Sequence, residues 1–462
     1  MTTSLDEIVR ATGGRVVQQA AQGTFTSVVA DSRSVRGGEL FVALRGKRRD
    51  GHAFVAEAAA GGAGGAVVEQ EGALPWPREL SVVRVADTTR ALGDLAAFVR
   101  GRVAPPVVVA ITGSNGKTSS KEMVAAAAAR AWGPQQVLKT HGNENNLIGL
   151  PLTLLRLGGS ERAVVLELGM NAFGEIARLT EIARPHYGLI TNIGPAHLEG
   201  VGSVAGVAQA KAELWRGMEP AATAIVNNED PWVVRMAAEF RGRRVTFGRG
   251  GDIEARDVRL HGQPPTEFTL SIGGEPKARV VLRLPGAHNV ANALGAAATA
   301  WAAGVDPDTI AQALSEVSAS PQRMEITTGP SGINVINDAY NANPASMRAA
   351  LSALALMERG RKIAVLGGMR ELGSAASSAH REIGEAAASL RLDYLLLLED
   401  EHTGALAAGA TSAGMPRERV RIGRSHEGIA RWLGELCRPG DWVLIKGSRA
   451  AEMEKVLDAL AS

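Results

Sequence analysis

The sequence predicts an α/β protein of three domains: a central doubly wound parallel sheet with a phosphate loop, a C-terminal Rossmann-like α/β domain, and a small N-terminal α/β domain. Three observations predict this. The chain has 462 residues, more than one hydrophobic core can organise. Short apolar runs alternate with helical patterns along most of its length, as parallel strands joined by crossover helices do. Residues 107–118, VVVAITGSNGKT, pass from a β-branched run into a glycine-rich turn ending in Lys117-Thr118, and the helical pattern SSKEMVAAAAARAW follows directly.

The first domain is read as residues 1–88. It opens on MTTSLDEIVRATGG, a helix capped by Ser4 or Thr3 ahead of Asp6 and Glu7. Strands and turns follow in TFTSVVADSRSV (24–35) and ELFVALRG (39–46), then a helix, AFVAEAAAGGAGG (53–65), leading to AVVEQ (66–70). The second domain is read as 89–320. The helix DTTRALGDLAAFVRGRVAPP (87–106) ends at a proline pair and delivers the chain to the phosphate-loop strand. Apolar strands AVVLELG (163–169), YGLITNIG (187–194) and TAIVNNED (223–230) then alternate with helices. Residues 245–285 are more β-like and read as an antiparallel flank, before a helix at 288–303. The third domain, 321–462, begins with the strand INVINDAY (333–340) and alternates through KIAVLGG, DYLLLLED and WVLIKGS, without a second phosphate loop.

Composition excludes several classes. Lys and Arg total 50 against 48 Asp and Glu, a net charge of +2, so there is no basic footprint for nucleic acid. Aromatics at 4% leave little for base stacking. The single cysteine, Cys437, rules out an internal disulfide or a cysteine-rich zinc site. The N-terminus carries no basic and apolar leader, and no run of about eighteen apolar residues lacks a charge. The expectation is a cytoplasmic monomer without membrane insertion.

The phosphate loop is a short form, TGxNGKT. The general pattern wants a glycine where Ile111 stands. Gly113 and Gly116 allow backbone N–H groups close to phosphate oxygens. Lys117 can reach the β- and γ-phosphates and the Thr118 hydroxyl can hold Mg²⁺, so the chain is expected to bind ATP. Glu167 closes a strand at the end where parallel sheets place ligands, where it suits a second Mg²⁺. His197 and Glu199 are candidate partners. Lys211 falls on the apolar stripe of its helix with Val204, Ala208 and Trp215. A free ammonium there is costly unless paired or chemically altered; on spacing alone, a lysine snorkelling to solvent explains it equally well. Asn289 and Asn292 lie on one helix face and could read an adenine edge, Asp338 could take a ribose hydroxyl, and each taken singly also suits a cap or turn.

At this point the sequence resembles the ATP-dependent Mur ligases of peptidoglycan synthesis over nearly its whole length. The residues that carry the resemblance are TGSNGKTSSKEM (112–123), GNENNLIGLPLTLL (142–155), ELGMNAFGEI (167–176), TNIGPAHLEGVGSVAGVAQAKAEL (191–214), GAHNVANALGAA (286–297), NDAYNANPASM (337–347) and VLIKGSRAAEME (443–454). AHLEG and DAYNANP are similar to the branch that joins D-alanyl-D-alanine to a UDP-N-acetylmuramoyl (UDP-MurNAc) tripeptide. DSRSVRGGELFVALRG with DGHAF (31–54) resembles a uridine-binding domain.

The resemblance implies that Gly113, Ser114, Asn115, Gly116, Lys117, Thr118 and Ser119 bind ATP phosphates. Thr118 would take the first of two Mg²⁺ ions; Glu167, His197 and a carbamate formed from CO₂ on Lys211 would take the second. Asn289, Asn292 and Tyr340 would surround adenine, with Arg323 on the phosphates and Asp338 near the ribose. Ser32, Arg33 and Asn146 would contact the UDP-sugar substrate, and the C-terminal domain would bind the incoming dipeptide. Two departures stand out: Gly368 occupies a position usually acidic in the family, and Ser119-Ser120 replace threonines. The competing readings are a folylpolyglutamate-synthetase-like ligase, against which the uridine-domain-like N-terminus speaks, and the ligase adding the third peptide residue, whose Asp-Asn-Pro-Arg motif is absent. A nucleotide switch protein is a third, and it would have no use for a second metal.

Overall fold

A computed structural model describes residues 2–21, 23–46, 49–69, 76–260 and 265–461. Three sheets divide the chain, each with apolar clusters on both faces. At the N-terminus a two-stranded ribbon, β1 (Thr3–Ser4) with β3 (Thr24–Phe25), flanks the helix Leu5–Thr12. Ser4 rather than Thr3 caps that helix: its hydroxyl accepts from Glu7 N while the Glu7 carboxylate accepts from Ser4 N. The first full sheet contains β2 (Arg15–Gln18), β4 (Val28–Val29), β5 (Leu40–Val42), β6 (Gly65–Val68) and β7 (Ser81–Arg84), in the order β2-β7-β6-β5-β4. Only the β2–β7 pairing is antiparallel. The expected strand 66–70 is realised as β6; Gln70 lies outside the described residues.

The central sheet has nine strands. They are β8 (Val107–Thr112), β9 (Val137–Lys139), β10 (Ala163–Glu167), β11 (Tyr187–Ile190), β12 (Thr223–Asn227), β13 (Arg243–Phe247), β14 (Ile253–Arg259), β15 (Thr266–Ile272) and β16 (Glu275–Leu282), in the order β16-β15-β14-β13-β12-β11-β8-β10-β9. Along β8, Val107, Val109 and Ile111 enter one core while Val108 and Ala110 enter the other, as a strand buried on both faces must. The antiparallel flank is β14 to β16; β13, expected within it, stays parallel to β12. Chain order reverses direction at β8: β10 lies on one side and β11 on the other, which opens a crevice beyond their carboxyl ends.

The third sheet contains β17 (Glu325–Thr328), β18 (Asn334–Asp338), β19 (Lys362–Leu366), β20 (Tyr394–Leu398), β21 (Val420–Gly423) and β22 (Trp442–Lys446), in the order β17-β18-β22-β19-β20-β21. It is parallel apart from the edge strand β17, which the sequence reading missed. β17 is four residues long and half exposed, so it shows no apolar run. Among the described residues no helix is long and apolar enough to cross a membrane.

Candidate active site

β8 ends at Thr112, and the loop that follows turns into the helix Lys117–Trp132 through Gly116, at φ +81°. No side chain caps that helix, so its first N–H groups are left for an anion. The two glycines are needed for a reason the sequence did not suggest. A Cβ on Gly113 (φ +147°) would sit 1.8 Å from Thr191 Oγ1, and one on Gly116 would sit 2.0 Å from Asn292 Oδ1. The loop is therefore clamped by protein on more than one side. Asn115 N donates to Asn192 Oδ1 (2.9 Å), Thr191 Oγ1 donates to Asn115 O (2.6 Å), and Ser114 Oγ donates to Gly194 O (3.0 Å). The segment after β11 thus fixes the loop before any ligand arrives.

Lys117 Nζ donates back to Gly113 O at 2.7 Å. Burial lowers its pKa; Glu167 opposes that shift and Arg323 reinforces it. Thr118 Oγ1 donates to Glu167 Oε2 (2.8 Å), and Asn145 Nδ2 donates to Glu167 Oε1 (2.8 Å). Glu167, at the end of β10, is buried, and its backbone N–H is held by Thr140 Oγ1 (3.0 Å). Lys117, Thr118 and Glu167 thus form one contiguous polar patch at the heads of β8 and β10.

Lys211 sits on the helix Val204–Arg216 behind that patch and is 1% exposed. Among the described residues its amine has no hydrogen bond and no ion pair. Burial, with the nearby Lys117 charge adding to it, drives its pKa well below the ordinary lysine value. Of the two outcomes open from spacing, the snorkelling lysine is not observed. A neutral, uncapped amine is the form that reacts with CO₂, whereas an ammonium is inert.

His197 lies at the start of the short helix Leu198–Val201, in left-handed backbone (φ +55°). Its Nδ1 stands 2.6 Å from Glu371 Oε2, although the N–H points off the line of centres and makes no in-line hydrogen bond. That contact holds the Glu371 carboxyl below its usual pKa. Among the described residues no three His, Cys, Asp or Glu side chains converge on a metal position. A metal held by Glu167 and His197 would need a further donor, and the Thr118 hydroxyl stands 2.8 Å from the Glu167 carboxylate. The donors are hard oxygens with one imidazole, which fits Mg²⁺ at this site.

A cleft of about 850 Å³ runs from the phosphate loop to the C-terminal domain. Ser119, Asn146, His197, Asn289 and Asp338 line it; Lys211 does not. Arg323 lies over the Tyr340 ring at 3.9 Å from its centroid. Asp338 pairs with the buried Lys446 and accepts from Met324 N. Asn292 Nδ2 donates to Asn289 Oδ1 (3.2 Å) and Asn289 Nδ2 to Pro285 O (2.9 Å), so these amides brace each other beneath the loop. Asn343 Nδ2 donates to Asn115 Oδ1 (2.8 Å), joining the C-terminal domain to the phosphate loop. Asn146 Oδ1 accepts from Ile148 N and Gly149 N, a local turn, while its neighbour Asn145 holds Glu167. Ser32 and Arg33 lie in the N-terminal domain away from this cleft: Ser32 Oγ donates to Glu57 and Arg33 pairs with Asp31 at the surface. Glu199 faces the Gly373 loop rather than Glu167. At Gly368 a side chain has no room, because Asp400 Oδ2 lies 1.7 Å from its Cβ position. A carboxylate is nonetheless present in that volume, from Asp400 beyond the neighbouring strand. Sequence reasoning missed Asn145, Asn343 and Glu371. Asn145 and Asn343 lay inside quoted motifs and Glu371 three residues beyond Gly368, but nothing in those motifs gave any of them its contacts.

Three family profiles match in register along the chain: "Mur ligase family, catalytic domain" over residues 24–100, "Mur ligase middle domain" over 111–300, and "Mur ligase, glutamate ligase domain" over 322–449. The chain is 38% identical to the UDP-N-acetylmuramoyl-tripeptide–D-alanyl-D-alanine ligase of Escherichia coli K12, over 96% of this chain and 95% of that protein. The crystal structure of MurF from Acinetobacter baumannii superposes with a TM-score of 0.92 at 34% identity, covering 100% of this chain and 99% of the other. MurF ligase from Thermotoga maritima, solved in complex with ADP, superposes with a TM-score of 0.83 at 28% identity, covering 94% and 97%.

Proposed function

The chain belongs to the Mur ligase family, and from that premise we propose that it joins D-alanyl-D-alanine to UDP-MurNAc-tripeptide with ATP. The products are UDP-MurNAc-pentapeptide, ADP and phosphate. Full-length identity to a ligase with this activity, together with the Lys117–Thr118–Glu167 patch facing an interdomain cleft, supports the reading. The reaction is a cytoplasmic step carried out by a monomer.

The tripeptide carboxylate attacks the γ-phosphorus of ATP, forming a C–O–P bond as ADP leaves. The dipeptide amine then attacks the acyl carbonyl, loses a proton, and expels phosphate. Lys117 exchanges its contact with Gly113 O for phosphate oxygens, placing its charge where negative charge accumulates. Helix Lys117–Trp132 presents its uncapped N–H groups to the same phosphates. Thr118, Glu167, His197 and a carbamylated Lys211 would hold two magnesium ions, which would supply charge neutralisation to the transferring phosphoryl group. Lys211 would contribute as a carbamate, formed as its nitrogen adds to CO₂ with loss of one proton to solvent, and would supply an anionic oxygen donor there. That would place an anion near the Lys117 charge, which the uncharged amine cannot balance.

Tyr340 would shape the nucleoside end of the cleft, with Asn289 and Asn292 bracing the adjoining phosphate loop, Arg323 directed to the phosphates by its stacking on Tyr340, and Asp338 near the ribose. Ser32 and Arg33 serve the uridine end of the long substrate, and Asn146 shapes the path between. The C-terminal domain brings the dipeptide and excludes water from the acyl phosphate.

The test is ADP and phosphate release from Mg-ATP with the UDP-MurNAc-tripeptide alone, with D-alanyl-D-alanine alone, and with both. Release only with both, plus the pentapeptide mass, is expected. Absence of stimulation with both the lysine and the diaminopimelate tripeptide would overturn the substrate assignment.

A further inference from the structure

The loop after β11 and the loop after β19 meet across the boundary between central and C-terminal domains. Three contacts join them. His197 Nδ1 lies 2.6 Å from Glu371 Oε2. Leu198 packs against the apolar cluster of the central domain and also against that of the C-terminal domain. Glu199 Cγ lies 4.0 Å from the Cβ position of Gly373. Both members of the His–Glu pair are non-glycine residues in left-handed backbone, at φ +55° and +64°. Such conformations cost free energy and persist where the surroundings over-determine them, often at functional sites. Here each loop supplies one of them, and they face each other.

An imidazole that ligates a metal through one nitrogen commonly gives its other N–H to a carboxylate, which fixes the tautomer and the ring plane. The Glu371 carboxylate stands 2.6 Å from Nδ1, so a small turn of the ring completes such a bond and leaves Nε2 as the nitrogen free for a metal. Surface ion pairs contribute little to stability, so the pair does little as a fastener between domains. Its effect falls on the ring.

We propose that Glu371 is a positioning residue for His197, supplied in trans-domain fashion, so that the second metal site is complete only while the C-terminal domain is docked. This rests on the proposed role of His197 in holding the second ion. It ties metal occupancy to the closed arrangement in which acyl phosphate and amine can meet. An open enzyme then holds its nucleotide through the phosphate loop but lacks a fully formed second site, which limits wasteful hydrolysis of ATP.

The experiment counts Mn²⁺ bound by the full-length protein saturated with a non-hydrolysable ATP analogue, using electron paramagnetic resonance, for wild type, His197→Ala, Glu371→Ala and Glu371→Gln. Wild type is expected to bind two ions and His197→Ala to lose the weaker one. Glu371→Ala should bind that ion about 10–100-fold more weakly with the tighter ion unchanged. Glu371→Gln, which keeps a carbonyl oxygen able to accept from Nδ1, should fall between. In steady state the apparent Mg²⁺ requirement should rise in Glu371→Ala with little change in the KM for ATP. Wild-type binding of both ions by Glu371→Ala overturns the positioning role and leaves the two-metal reading intact. A single ion in the wild type overturns the two-metal reading itself. Equal weakening of both ions with a lowered Tm in Glu371→Ala and Glu371→Gln means damage to the fold, and overturns the proposal as well.

Discussion

Lys211→Met removes a buried amine and keeps the volume of its stem. The side chain is 1% exposed in the wild type, so the apolar area is nearly the same in both proteins and cancels. What differs is a polar group buried with no hydrogen-bond partner, which costs about 1–3 kcal/mol. The variant should therefore be more stable by at least that amount, with the cost of deprotonating the lysine added below pH 10.5. For a unit of 150–250 residues this is roughly 2–12 °C in Tm. The sign of the pH dependence follows from linkage. The folded pKa lies well below the unfolded value of 10.5, so the unfolded chain binds more protons across that interval. Wild-type stability then rises with pH from the folded pKa towards 10.5, and the advantage of Lys211→Met should shrink over the same range. Calorimetry of the central-domain transition from about pH 6 to 10 reads this directly. Bicarbonate should raise the wild-type Tm and leave the variant unmoved, because the carbamate replaces an unsatisfied amine by an anion that Lys117 can pair. Ligase turnover should be nearly lost. A variant less stable than wild type at all pH values, or one that turns over normally, refutes the reasoning.

Lys117→Ala should lower kcat by at least about 10²–10³-fold, the effect of losing one preorganised charge contact to the reacting group, and rapid-quench assays of ADP release would measure it. Gly113→Ala should destabilise by about 2–4 kcal/mol, because its Cβ would meet Thr191 Oγ1 at 1.8 Å and the backbone sits at φ +147°. Adding Thr191→Ala should recover part of the lost Tm; no recovery would show that the backbone conformation alone is responsible. Asn115→Ala and Asn343→Ala break one interdomain hydrogen bond of 2.8 Å. A double-mutant cycle on kcat/KM for the dipeptide should give a coupling of about 0.5–1.5 kcal/mol, whereas additivity would mean the bond is absent in the working enzyme.

The phosphate loop and its strand were readable because local rules determine them. β8 is buried on both faces, so five of its six residues had to be apolar, and Lys117-Thr118 follow at fixed distance. Lys211 was readable as a position and not as a state. Helical spacing placed it on the apolar stripe, but only packing shows that no acid approaches and that Lys117 does. Asn145 and Asn146 make the limit sharper. They are adjacent amides in GNENN, and a one-residue difference in direction sends one to Glu167 and the other to a turn. The turn role of Asn146 had a local signal, an Asn two and three residues before the N–H groups it accepts from; the role of Asn145 had none. Glu371 was invisible for a further reason: its meaning depends on how two domains dock, and no periodicity in either domain encodes that.

Gly368 shows the same limit from the other direction. Read alone, it is a missing acid. In the fold, Asp400 fills the volume that a side chain at 368 would take, and its Oδ1 accepts from His402 N and Thr403 Oγ1, which holds the carboxylate there. The two positions lie at the ends of adjacent parallel strands, β19 and β20, where a carboxylate can be supplied from either side. A Gly368→Asp substitution would bring two carboxylates into one space and repel, whereas Gly368→Asp with Asp400→Gly would exchange donor and gap. The double variant should therefore be markedly more stable than Gly368→Asp alone. If thermal melts instead show the two changes adding independently, the carboxylates do not share that volume, and the acid at Asp400 is unrelated to the gap at Gly368.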